Sequence, residues 1–182
     1  MINKLRTLLL LCMGLFLNQF SFAQVDSDSN NKPKLSSKYF ERTVNAMIKE
    51  SVPLMSVQEL KANQDKYVLL DAREENEYQV SHIEKALYIG YDQWDDTVLG
   101  NLDKDAPIVV YCSIGVRSED IGEKLQERGF TNVHNLYGSI FEWANQGYPL
   151  VDNAGYPTMK IHGFSWLWGK WMTNEEFEKV YE

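Results

Sequence analysis

The sequence predicts an α/β domain whose mostly parallel central sheet is flanked by helices on both faces. Three observations lead there. Short strand-like runs recur: Tyr67–Asp71 is apolar and ends in an acid, Ile108–Cys112 is apolar throughout and rich in β-branched residues, and Val133–Leu136 reads as a strand again. Such runs suit parallel strands covered on both faces. Between them lie stretches with helical spacing of apolar residues. Strands alternating with helices in this way build βαβ units.

The elements follow in chain order. Tyr39, Phe40, Val44, Met47 and Ile48 recur at helical spacing, so residues 39–51 are expected to form an amphipathic helix. Pro53-Leu54-Met55 reads as a short strand. Ser56 is placed to cap a following helix, with Glu59 three residues on as in a capping box. Strands are expected at 67–71, 87–89, 108–112 and 133–136. A helix over 118–128 pairs Ile121 with Leu125 and stops at Gly129. A last helix fits Ser139 to Asn145, ended by Gly147 and Pro149. No internal repeat is present.

The two ends of the chain differ from this body. Lys4 and Arg6 precede an apolar run from Leu8 to Leu17, and Ser21-Phe22-Ala23 supplies small residues at the expected cleavage positions. This is the layout of a secretory signal peptide over residues 1–23. The run is too short for a membrane span, which takes about 20 apolar residues. An exported protein is expected, periplasmic first and extracellular second. Residues 24–38 are rich in Ser, Asn, Asp and Lys and read as a disordered linker. Residues 152–182 form an aromatic-rich extension carrying Phe164, Trp166, Trp168 and Trp171. Packing onto the domain is its favoured role, and a docking surface for a protein partner is the alternative.

Charge and cysteine content narrow the function. The chain has 18 basic and 26 acidic residues. Loss of residues 1–23 removes two basic and no acidic residues, leaving a net charge of −10. That surface argues against nucleic acid and anionic membrane as partners. Of the two cysteines, Cys12 departs with the leader and Cys112 remains. A lone thiol in an exported protein forms no internal disulfide and is a candidate reactive group. His134 and His162 show no ligand spacing with Cys112, so no metal site is expected.

Cys112 closes an apolar strand and precedes Ser113, Ile114, Gly115, Val116, Arg117 and Ser118, where a helix begins. Gly115 permits backbone shapes that let loop N–H groups converge. The helix start adds free N–H donors and the positive end of a dipole. Arg117 adds a permanent charge. All favour a thiolate, the nucleophilic form. Asp71 ends a neighbouring strand; with Arg73 it either shapes the same site or forms an ion pair that orders the loop after the strand, the second being favoured.

The segment VVYCSIGVRS over residues 109–118 resembles the active-site segment of single-domain rhodaneses. Asp71-Ala72-Arg73-Glu74, Glu77-Tyr78 and His82-Ile83 are similar to that family's upstream signature. Leu136-Tyr137-Gly138-Ser139, Trp143 and Gly147-Tyr148-Pro149 are similar to its closing signature. The resemblance spans residues 52–151. It departs from the family in two places: Lys85 precedes Ala86 where glycine is common, and Gly138-Ser139 stands for paired glycines. Both lie at turns, where small backbone adjustments are expected.

The resemblance implies a sulfurtransferase. Cys112 is then the catalytic nucleophile that takes a sulfane sulfur from a donor such as thiosulfate and passes it to cyanide or a thiol. The loop residues Ser113, Ile114, Gly115, Val116 and Ser118 would cradle the anionic sulfur, with Arg117 binding the donor. No metal or organic cofactor is required. Two other functions stand beside it. One is a persulfide-carrying or binding module without turnover. The other is a phosphatase or arsenate reductase, but those relatives carry one more residue between cysteine and arginine than the four here. A smaller ring of amides suits one sulfur atom better than a tetrahedral oxyanion.

Overall fold

The computed structural model describes residues 32–100 and 102–182, and residues 32–182 form one compact unit. The signal-peptide reading, Cys12 and most of the expected linker lie outside the described residues. Among the described residues, no helix is long and apolar enough to cross a membrane.

The elements alternate as expected from the N-terminal side. Helix α1 (Lys38–Asn45) leads to β1 (Leu54–Met55), α2 (Val57–Asn63), β2 (Val68–Asp71), α3 (Glu75–Val80) and β3 (Leu87–Tyr88). Then follow β4 (Ile108–Tyr111), α4 (Val116–Glu127), β5 (Val133–Leu136) and α5 (Ser139–Asn145). Beyond them come β6 (Leu150–Val151), β7 (Pro157–Thr158), β8 (Lys160–His162), α6 (Trp166–Gly169) and β9 (Glu178–Val180). Strands β1 to β5 form one parallel sheet in the order β1-β5-β4-β2-β3. Its centre is β4, every residue of which is buried.

Successive residues of the central strands face opposite layers, as the pleat requires. Leu69, Val109 and Tyr111 join a core with Phe40, Leu60, Ile140 and Trp143, so α1, α2 and α5 cover that face. Leu70, Ile108 and Val110 join a second core with Ile121 and Leu125, so α4 covers the other.

The expected helix over 39–51 is shorter: α1 ends at Asn45. The chain must turn to enter β1, and Glu50 takes a positive φ of 58° to do so. Buried Glu119 of α4 rewards the turn, accepting from the backbone N–H of Lys49 at 2.7 Å and of Ser51 at 2.9 Å. Ser56 caps α2 by accepting from Glu59 N at 3.0 Å. Helix α3 has no counterpart among the sequence-derived elements. Its capping box, made by Glu74 and Glu77, places Glu77 inward.

Both flanks share the core. Phe40 and Val44 from α1 and Ile161, Met172 and Phe177 from the C-terminal segment join the cluster around Trp143. Phe40 stacks on Trp171 with ring centroids 5.7 Å apart. Full burial of a phenylalanine stabilises by about 1.5–3 kcal/mol. Asn145 at the end of α5 holds the same segment, donating to Trp171 O at 2.9 Å and accepting from Thr173 N at 2.7 Å. Trp168 and Trp171 are thus partly buried, whereas Trp166 and Leu167 stay exposed.

Candidate active site

Cys112 follows the last residue of β4, at the carboxyl edge of the sheet where α/β folds bind ligands. Gly115, at φ 119°, turns the chain into α4, a backbone conformation strained for any residue with a Cβ. Buried Asn135 of β5 fixes this turn from beneath: its Nδ2 donates to Gly115 O at 2.8 Å, and its Oδ1 accepts from Ser118 Oγ at 2.7 Å. The N-terminus of α5 holds the other side. Ile140 N donates to Cys112 O and Phe141 N to Ser113 O, each at 3.2 Å.

Ser139 completes the clamp. Its Oγ accepts from Cys112 N at 3.1 Å and donates to Leu136 O at 3.0 Å. Its φ of 52° and the φ of 66° at Lys85 are both left-handed. The two departures from the family pattern therefore keep a glycine-like backbone. At Ser139 the hydroxyl offsets the strain with two buried hydrogen bonds, while Lys85 is exposed.

Within this frame the thiol is almost fully buried, at 1% exposure. Burial alone pushes its pKa up. The charge of Arg117 and hydrogen bonds from Ser118 and Gly115 outweigh burial, so the net shift is downward. Gly115 N donates to Sγ at 3.2 Å. Ser118 Oγ is 3.5 Å from Sγ, but its single proton serves the shorter bond to Asn135. The backbone N–H of Ser118 therefore carries that residue's share.

Arg117 is positioned differently from the expectation that it awaits an anionic donor. Glu77 engages both ends of its guanidinium, with Nη1 to Oε2 at 2.6 Å and Nη2 to Oε1 at 2.9 Å. Ser113 Oγ joins them, accepting from Arg117 Nη2 at 2.9 Å and donating to Glu77 Oε1 at 3.1 Å. The Phe164 ring covers the guanidinium face, 4.9 Å from Cζ. His162 Nδ1 lies 3.9 Å from Glu77. That nitrogen accepts from Phe164 N at 3.1 Å, which makes the ring neutral there, so the contact is no ion pair.

A pocket of about 160 Å³ opens onto Cys112. The loop residues Ser113, Ile114, Val116 and Arg117 line it, and Met47, Phe164 and Trp168 form its outer wall. Asp71 and Arg73 do not line it. They form a fully buried pair instead, with Nη2 to Oδ2 at 2.7 Å and Nε to Oδ1 at 2.9 Å. Arg73 Nη2 also donates to Ser81 O at 2.6 Å, tying the end of β2 to the loop after α3. Among the described residues, no three His, Cys, Asp or Glu side chains converge as metal ligands.

Sequence patterns did not single out Glu77, Asn135, Ser139 or the pocket wall as parts of the site. For Glu77 a signal existed: it is a charged residue at N3 of a capped helix, within the quoted upstream signature. Phe164 and Trp168 carried only aromatic character.

The model of the rhodanese-like domain family matches residues 56–146, half of the chain. The chain belongs to the rhodanese-like family. It is 32% identical over 76 residues to the thiosulfate sulfurtransferase GlpE of Coxiella burnetii, covering 42% of this chain and 70% of that protein. It is 35% identical over 92 residues to the tRNA uridine(34) hydroxylase of Erwinia tasmaniensis, covering 46% of this chain. The match spans only 26% of that hydroxylase's length. Among solved structures, thiosulfate sulfurtransferase from Pseudomonas aeruginosa superposes with a TM-score of 0.52 at 24% identity, covering 64% of this chain and 22% of that one, a likeness of fold. The rhodanese-like match stops short of α1 and of everything after Gln146, so Met47, Phe164 and Trp168 lie outside the matched residues.

Proposed function

We propose that the protein is a sulfurtransferase that carries a sulfane sulfur as a persulfide on Cys112. The observation that supports this best is the Cys112 thiol, buried after β4, held by the Gly115 N–H at 3.2 Å and opening onto a pocket, with Arg117 and the loop hydrogen bonds drawing its pKa down. A buried thiol without compensation becomes less acidic and inert. With thiosulfate, the Cys112 thiolate attacks the sulfane sulfur, the S–S bond breaks, and its electron pair leaves on sulfite. The Cys112 persulfide anion then passes its outer sulfur to cyanide, giving thiocyanate, or to a thiol, giving a hydropersulfide. Each transfer regenerates the thiolate, so the cycle is a two-step ping-pong path. The N–H groups of Gly115 and Ser118 hold the sulfur anion, and Arg117 supplies the field. The apolar run and small residues before Gln24 support export to the periplasm as the setting.

Mass spectrometry of the protein after thiosulfate or a hydropersulfide tests this reading. Cys112 should gain one sulfur that cyanide removes, and Cys112→Ser should take up none. Normal turnover by Cys112→Ser would overturn it.

A further inference from the structure

The pocket over Cys112 offers an incoming donor little charge. Its one cationic side chain, Arg117, already has Glu77 on both terminal nitrogens and Phe164 across its face. Glu77 lies beside it with a full negative charge: burial raises its pKa, but Arg117 and Arg73 outweigh this and hold the carboxyl below its usual range. A dianion such as thiosulfate must therefore approach a guanidinium–carboxylate pair whose net charge is zero. The outer wall, by contrast, is thioether and aromatic: Met47, Phe164 and Trp168, with Ile114 and Val116 below. Burying hydrocarbon against such a wall is favourable, while burying an unpaired polar group costs free energy.

We infer that the donor served by this site is a hydropersulfide bearing a small hydrocarbon group, selected by the apolar wall that Met47, Phe164 and Trp168 build from outside the matched residues. The inference rests on the sulfurtransferase reading and narrows it. The volume of about 160 Å³ is below that of drug-sized sites, about 300–1,000 Å³, so the group is small. In the reaction the Cys112 thiolate attacks the terminal sulfur of R–S–SH. The S–S bond breaks, R–S⁻ leaves with its electron pair, and Cys112 keeps the outer sulfur and its proton as S–SH. No oxidant or reductant is needed.

The test compares three donors on the parent protein: n-propyl hydropersulfide, its near-isostere 2-hydroxyethyl hydropersulfide, and thiosulfate. The two hydropersulfides have the same reacting atoms, so their ratio reads the pocket and not intrinsic reactivity. The propyl donor should lead in kcat/KM by on the order of tenfold. Trp168→Ala and Phe164→Ala should each shrink that lead to within about threefold, because the wall is opened to water. Both residues are partly exposed, and a circular dichroism spectrum checks each fold. Equal use of the two hydropersulfides by the parent, or a lead unchanged in both variants, overturns the inference while leaving sulfur transfer standing. Failure of all three donors to load Cys112 overturns the sulfurtransferase reading, and the inference with it.

Discussion

Glu77 of α3 and Arg117 of α4 form a two-point pair, 2.6 and 2.9 Å long, that bridges two helices across the mouth of the Cys112 loop. The pair both positions the guanidinium and cancels most of its charge toward solvent. It explains how the site keeps a field on the thiol without presenting a bare anion hole.

Glu77→Gln separates those two effects. Gln retains an acceptor for Arg117 but removes the balancing charge. The expected outcome is a larger share of turnover from thiosulfate relative to a neutral hydropersulfide, and a pH–rate midpoint for Cys112 moved further down. Arg117→Ala does the reverse to the midpoint and strands a buried carboxylate. Breaking a buried pair this way costs about 3–5 kcal/mol. Donor competition assays, pH–rate profiles and urea unfolding read all three. Unchanged donor preference and midpoint in Glu77→Gln would show that Arg117 only braces the loop.

Lys85 and Ser139 provide a matched pair of left-handed residues with opposite expected responses to glycine. A non-glycine residue there costs about 1–2 kcal/mol. Glycine's greater freedom in the unfolded chain returns about 0.5–1 kcal/mol of that. Lys85→Gly should therefore stabilise by a fraction of a kcal/mol, since its contact with Asp65 is exposed. Ser139→Gly relieves the same strain but deprives buried Cys112 N of its acceptor. An unsatisfied buried donor costs about 1–3 kcal/mol, so this variant should be destabilised and transfer sulfur more slowly. Urea unfolding and turnover assays of the two variants check the contrast, and a gain in stability for Ser139→Gly would contradict it.

Acid should weaken the fold in two stages. Burial lowers the pKa of His82 and of His162. An unfolded histidine takes up its proton near pH 6.5, the folded one only below that. The unfolded state then binds more protons as pH falls, so stability drops. Glu77 follows: although burial raises its pKa, Arg117 more than compensates and holds it down. Its contribution is fully present above the unfolded value of 4.5 and is lost as pH falls through the lower folded one. Urea midpoints should decline between neutral pH and about pH 5 and fall more steeply below. A midpoint that holds steady or rises would refute the assignment.

Much of this protein was legible in its sequence because the signals are local. Ile108–Tyr111 is apolar and β-branched because both faces of β4 are buried, and that alone places Cys112 at a sheet edge. Ser56 announces α2 through a side chain that bonds three residues on. The order of the sheet strands along the chain, the parallel sheet and the place of Cys112 follow from such short-range patterns. Helix α3 escaped because six residues with mixed burial carry too little periodicity to read.

What only the tertiary structure decided is the character of the site. Glu77 and Arg117 are 40 residues apart, and Asn135 reaches Gly115 across 20. Met47 and Trp168 come from opposite ends of the described chain to wall one pocket. No periodicity links such positions, because their contact is a product of how layers stack and not of spacing along the chain. The sequence by itself determined that a lone cysteine sits at the end of β4 before a glycine turn and an arginine; chain packing determined that its arginine is already paired and that its surroundings are apolar.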